Sequence, residues 1–413
     1  IYGDNVELTI STDDVEILRL LEPGFKAYSS FVDIPYVRAD VMLRKKGKPR
    51  SALTYKLYVL LYIVLMLFQA PLAIVSAALR EMGFNGPYRQ EAMSQIQKSD
   101  FVISTADENF KEGSLYLPIN VYWTLTWWTI LFSRMIDIII AKKIFKKRVV
   151  IFPNSVGPFR SRLGLFMAKT IFKNTDLIML REPCSYGLLK DLKVGTRCIV
   201  ATDIALLLEI DKSKFNALLP GRTLGVCPSL YALSFSADQS RNYVLLHSKV
   251  LDYLVEKHGY NVVFLPHEIS KVNLHDDLEL SKAIVKNMKF KEKAEIVSTV
   301  GVEEFKYYLG QLDMLITSRM HPAVLACADH VPTLMITYDH KQSGFFTQLG
   351  LTEYTLIIGE TTHEQLLKKI RLLLRNKENV RKQLETMIPV LQNDLRTKIR
   401  VTATCFSSMV RKE

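Results

Sequence analysis

From about residue 145 onward the chain alternates short β-branched runs with longer helical stretches, and no other feature constrains its fold as strongly. Runs at 149–152, 177–180, 224–227, 262–265, 314–317 and 334–337 predict strands. Stretches at 162–173, 242–257 and 274–286 predict helices between them. Strands joined through helices pair in parallel, so the sheets are expected to be mainly parallel and covered on both faces. Such sheets receive ligands at the edge where the strands end. A chain of 413 residues exceeds one ordinary core and suits two α/β domains. The boundary is expected at 212–222, where Leu218, Leu219, Pro220 and Gly221 separate one βα series from the next. This gives an N-terminal domain over 1–215, a C-terminal domain over 222–376 and a charged helix over 377–413 that packs back.

Hydrophobic residues make up 48% and charged residues 23%, which excludes a largely disordered chain. Lysine and arginine outnumber acids by 54 to 42, a net charge of +12 that favours an anionic partner. Nucleic acid is not that partner, because the basic residues cluster before an apolar stretch rather than interleaving with aromatics. The five cysteines, Cys184, Cys198, Cys227, Cys327 and Cys405, are scattered without a CxxC pair, which argues for a reducing compartment. The chain begins at Ile1 and shows no signal peptide, and truncation at this end is the expectation.

Residues 57–79 carry no formal charge, a length sufficient to cross a bilayer at about 1.5 Å per residue. Gln69, Pro71 and Ser76 argue against a span. The cations Arg44, Lys45, Lys46, Lys48 and Arg50 precede it, and Trp123, Trp127, Trp128 and Phe132 mark a second apolar stretch. Helices at 55–80 and 118–140 are therefore expected to meet a membrane surface, with two core helices as the alternative.

Residues 313–350 are the most informative for chemistry. A buried strand runs into Ser318, Arg319, Met320 and His321, and a helix of small residues starts at about His321 and Pro322. Free backbone N–H groups beside Arg319 and His321 make an anion site, unless Arg319 pairs with an acid and His321 only caps the helix. Arg181 ends the apolar run 177–180, where it binds a donor carboxylate or phosphate, or forms a salt bridge with Glu182. No His, Cys or carboxylate cluster has metal-ligand spacing, so no metal is expected.

The step S-R-M-H at 318–321, followed by A-x-x-x-x-V-P-T and Y-D-x-K-x-x-G, resembles the signature of polysaccharide pyruvyl transferases. Further segments fall in that family's order: N-S-V-G-P-F at 154–159, R-E-x-x-S at 181–185, and T-D at 202–203. G-V-C-P-S at 225–229 and L-P-H at 265–267 continue it, with Asp276 and Asp277 following, so the likeness covers nearly the whole chain. Gly3 and Asp4 resemble the family's N-x-G-D step, without the strand that precedes it. Glu108, Asn109 and Phe110 resemble the D-N-Y part of a loop whose glycines are missing here.

The resemblance implies an enzyme that transfers the pyruvyl group of phosphoenolpyruvate to a sugar as a ketal and releases phosphate. Its fold is then α/β, with two Rossmann-like domains facing a cleft in a glycosyltransferase-B-like arrangement. Phosphoenolpyruvate is the donor substrate and no cofactor is needed. The acceptor is a sugar of a cell-surface glycan or its lipid-linked precursor, and the enzyme works in the cytoplasm at the inner membrane face. In the family an R-x-H step contacts phosphoenolpyruvate, and Arg319 and His321 correspond to it. His321 is the expected general acid and His267 the second choice, since histidine holds a proton near neutral pH. Arg319 and Arg181 supply fixed positive charge. Asp4, Asp107 and Glu108 are candidate bases, with Asn109 and Ser318 beside the substrates and Lys341 and Gly344 closing over a phosphate. Two other readings remain: a nucleotide-sugar glycosyltransferase of the same architecture, and an inactive protein that binds glycan at a membrane surface.

Overall fold

The computed structural model describes residues 7–15, 18–19, 24–45, 52–104, 109–116, 121–230, 237–269, 276–299 and 301–410. The chain forms two compact units, one comprising Ile1–Gly113, Ile119–Ala201 and Arg396–Glu413, the other Ser114–Pro118 and Thr202–Leu395. The boundary at Ala201 and Thr202 precedes the turn expected at 212–222. The reason is packing: Leu206, on the short turn Ile204–Leu207, belongs to the core of the C-terminal unit.

In the N-terminal unit, strands β1 (Thr9–Thr12) and β2 (Lys26–Ser29) pair in parallel. Helices α1 (Pro35–Lys45), α2 (Ala52–Glu81) and α3 (Gln90–Lys98) follow. Then come β3 (Phe101–Ser104), α4 (Val121–Ile139), β4 (Arg148–Asn154), α5 (Arg162–Lys173), β5 (Leu177–Leu180), α6 (Pro183–Asp191) and β6 (Arg197–Val200). These strands form a parallel sheet in the order β3-β4-β5-β6. Helix α5 starts where Ser161 caps it, its hydroxyl accepting from the Gly164 N–H at 2.8 Å. In the 154–159 motif Gly157 adopts φ 74°, where a side chain would also press on Leu188.

The C-terminal unit alternates strictly. Its elements are β7 (Thr223–Cys227), α7 (Ala237–His258), β8 (Asn261–Phe264), α8 (Asp277–Asn287), β9 (Ala294–Ile296) and α9 (Val302–Leu309). They continue through β10 (Met314–Thr317), α10 (Met320–Ala328), β11 (Thr333–Thr337), α11 (His340–Gln348), β12 (Thr355–Ile357) and α12 (His363–Val410). The six strands are all parallel, in the order β12-β11-β10-β7-β8-β9. The chain winds outward from β7 through β9, then returns to build β10 on β7's other side. A doubly wound sheet of this order opens a crevice where the winding reverses, beyond the ends of β7 and β10. The residues there are Pro228 and Ser229 after β7, and Ser318 and Arg319 after β10.

The fold class is α/β with parallel sheets, as the alternation requires. Each strand predicted in 149–337 is present within one or two residues at its ends. Strands β6, β9 and β12 were not anticipated, since three or four residues are too few to show a period.

Candidate active site

Arg319 ends the turn after β10 in extended backbone and caps α10, its own N–H donating to the Thr317 hydroxyl at 2.9 Å. Its side chain, 11% exposed, turns to two acids. Nη2 donates to Asp277 Oδ1 at 2.8 Å and lies 2.9 Å from Glu268 Oε2. Asp277, wholly buried, also accepts from the N–H groups of Leu230 at 2.9 Å and Glu268 at 3.0 Å. Burial pushes the Asp277 carboxyl upward, against the pull of Arg319 and these N–H groups. Burial also opposes the guanidinium charge, yet Asp277, Tyr338 and Glu268 together hold Arg319 above its ordinary value. The acid pairing left open by the sequence is therefore present, and it orients the guanidinium at the point where the sheet reverses.

His321 stands in the first turn of α10 with its side chain 35% exposed. Its Nε2 lies 4.0 Å from Asp203 Oδ2, and Asp203 is 3% exposed. Asp203 is held by its other oxygen, which accepts from the Ala205 N–H at 2.9 Å. The exposed ring of His267, just beyond β8, stacks on His321 with centroids 6.0 Å apart and planes at 27°. Phe305 meets His267 edge-on at 5.7 Å. The arrangement brings together two imidazoles, a buried carboxylate and a fixed cation around the first turn of α10.

Other expected residues have structural duties. Ser318 is buried, its hydroxyl 2.9 Å from that of Tyr243 and its carbonyl accepting from Gln342 Nε2 at 2.8 Å, so it fixes the turn rather than facing a substrate. Lys341 and Gly344, expected to close over a phosphate, lie buried within α11. The Lys341 ammonium sits 5.4 Å from the Tyr338 ring centroid. The physical reason is the capping box at Asp339 and Gln342, which starts the helix that holds both residues.

In the N-terminal unit Arg181 follows β5 as predicted, but is 1% exposed. Its Nε donates to Ser155 Oγ at 2.6 Å, and that hydroxyl donates to Glu182 Oε2 at 2.9 Å. Glu182 also accepts from Ser185, whose oxygen takes the Val156 N–H at 2.7 Å. This is the salt-bridge alternative for Arg181, embedded in a buried network. Asn109 is half-buried ahead of Phe110, which bridges to Val156. Asp4, Asp107 and Glu108 lie outside the described residues.

Asp203, Glu268 and Asp277 were not assigned roles from sequence. Their signal was faint: an acid directly after a strand, or just ahead of a helix, is common for capping alone.

The family model for polysaccharide pyruvyl transferases matches residues 44–340. The amylovoran biosynthesis protein AmsJ of Erwinia amylovora is 23% identical over 313 residues, covering 72% of this chain and 70% of that protein. Among solved structures, an O-GlcNAc transferase mutant of Thermobaculum terrenum aligns at 12% identity and TM-score 0.44, over 78% of this chain and 55% of that one. The chain thus spans little more than half the length of that structure. The UDP-GlcNAc 2-epimerase of Methanocaldococcus jannaschii aligns at 15% identity and TM-score 0.47, over 76% and 88% of the two chains. With the family model matching well over half of its length, the chain belongs to the polysaccharide pyruvyl transferase family.

Proposed function

We propose that this protein transfers the pyruvyl group of phosphoenolpyruvate to two hydroxyls of a glycan sugar, forming a ketal and releasing phosphate. The observation that carries the reading is His321 set between Asp203 and the ring of His267, two residues beyond the fixed Arg319. Ketal formation begins with protonation of C3 of the enol. His321 delivers that proton, with Asp203 stabilising the imidazolium and His267 relaying protons from solvent. Positive charge then develops at C2, where two sugar oxygens add and the bond to phosphate oxygen breaks. One hydroxyl proton balances that taken up at C3, and the other leaves with phosphate or solvent. Arg319 meets the donor's anionic groups, with Glu268, 34% exposed, yielding its place to them. The acceptor belongs to an extracellular polysaccharide or its precursor, consistent with the family and with AmsJ's part in amylovoran biosynthesis.

The test is phosphate release from phosphoenolpyruvate with a panel of hexose and N-acetylhexosamine glycosides. Acceptor-dependent release by the wild type, abolished in His321→Ala, supports the reading. No release with any acceptor, together with calorimetric binding of a uridine diphosphate and not of phosphoenolpyruvate, transfers the assignment to glycosyl transfer.

A further inference from the structure

We infer that α2 is a docking helix that lies flat on an anionic lipid bilayer without crossing it. Over residues 57–79, which carry no charge, α2 presents two opposite faces. Leu57, Leu61, Val64, Phe68, Leu72 and Val75 recur at helical spacing and are each 39% to 69% exposed. On the other face Val59, Met66, Ala70, Ala73 and Ala77 are buried in the N-terminal unit. A soluble surface rarely leaves so continuous an apolar stripe uncovered. The stripe runs 19 residues, from 57 to 75, or about 27 Å at the helical rise.

Against crossing stands what the polar residues of the packed face hold. Gln69, at mid-helix, donates to Asp33 Oδ2 at 2.8 Å and accepts from the Asp33 N–H at 2.9 Å. Asp33 in turn pairs with Arg89 at 2.6 Å and Arg38 at 2.8 Å. Ser76 accepts from the Tyr88 N–H at 3.1 Å. A spanning α2 would carry this ionic network to the bilayer midplane, which is costly.

The occupant is lipid rather than protein on two grounds. The stripe is aliphatic, with a single aromatic, whereas protein contact centres are enriched in Trp, Tyr and Arg and poor in Leu and Val. Directly before it the sequence sets Arg44, Lys45, Lys46, Lys48, Arg50 and Lys56, a polybasic run matched to anionic headgroups. Apolar burial plus such a run supplies the two signals that stable surface attachment requires. The inference is independent of the donor chemistry.

The experiment is flotation of the full chain with phosphatidylcholine vesicles, with and without phosphatidylglycerol. The wild type should float with the anionic vesicles. Leu61→Asp/Phe68→Asp should weaken this by about tenfold or more, from lost apolar burial. A melting temperature close to wild type shows that the variant is folded, and Arg44→Gln/Lys45→Gln/Lys56→Gln gives an independent arm through the charges. Flotation unchanged in both variants overturns the inference. So does resistance to alkaline carbonate extraction, which marks a span. A dimer in solution that dissociates on Leu61→Asp/Phe68→Asp instead assigns the face to a second copy.

Discussion

The two units solve the same geometric problem in opposite ways. Each has a parallel sheet whose strand ends carry an arginine with acids nearby. In the N-terminal unit Arg181, Glu182, Ser155 and Ser185 are hydrogen-bonded together at essentially zero exposure. In the C-terminal unit Arg319 is likewise paired, but its neighbours His321, His267 and Glu268 keep part of their surface open. The strand end is therefore a place where function is available, and its neighbours decide whether it is used. A fully buried network stabilises the fold, whereas one with titratable members at its rim can exchange protons with a ligand.

The largest expected effect tests that contrast through Asp203. Asp203→Asn should lower donor turnover by about 10²-fold, within the range of a general acid's contribution, and leave the melting temperature nearly unchanged. Turnover at the wild-type rate would remove the distinction between the two strand ends. Next comes Asp277→Asn, which strands Arg319 without its buried counter-charge. It should cost about 3–5 kcal/mol in urea unfolding, and a cost near zero would show that the pair does not orient the arginine.

Acid should separate the units by sign. His247, stacked on Tyr243 in the C-terminal unit, is held by burial at about 4 and donates from Nδ1 to the Tyr243 carbonyl at 2.9 Å. Its folded pKa lies below the unfolded one, so its stabilisation is present above pH about 6.5 and lost as pH falls toward 4. That amounts to about 2 kcal/mol by pH 5, and His247→Gln should flatten it in melts run from pH 7 to 5. Asp137 in the N-terminal unit shifts the other way, raised to about 6 by burial against the pull of Arg134. Its contribution is present at low pH and is lost as pH rises through about 6, so Asp137→Asn should flatten the opposite slope.

Smaller still, Ser185→Ala removes the acceptor of the Val156 N–H and should cost about 1–2 kcal/mol. Turnover per folded molecule should stay at the wild-type level, and a selective fall in turnover would restore Arg181's network to the site. The smallest effect belongs to Glu268→Gln, which relieves competition for Arg319. A donor KM lower by about twofold to threefold is the expected result, in keeping with a half-exposed ion pair. A higher KM would mean that Glu268 helps to bind the donor.

The two apolar helices show where sequence reading stops. Both are long and uncharged enough to draw the same expectation, yet only 28% of the α2 stretch is buried against 61% for α4. Trp127, Ile130, Leu131 and Met135 of α4 are buried, and Leu131 and Met135 belong to the core of the N-terminal unit. Composition cannot choose between these outcomes, because lipid and a protein core reward the same side chains.

The sequence by itself determined the parallel α/β architecture, since the alternation of β-branched runs and helical stretches admits no other pairing. It also placed Arg319, His321 and His267 at strand ends, because a polar residue directly after a buried run has only the sheet edge to occupy. Tertiary structure alone decided which acids meet them. Asp203 and Asp277 come from segments 118 and 42 residues before His321 and Arg319, and only the winding of the sheet brings them within reach. It likewise decided that Arg181 and Lys341 are buried, because exposure depends on the neighbours that cover a side chain and not on the residue's own polarity.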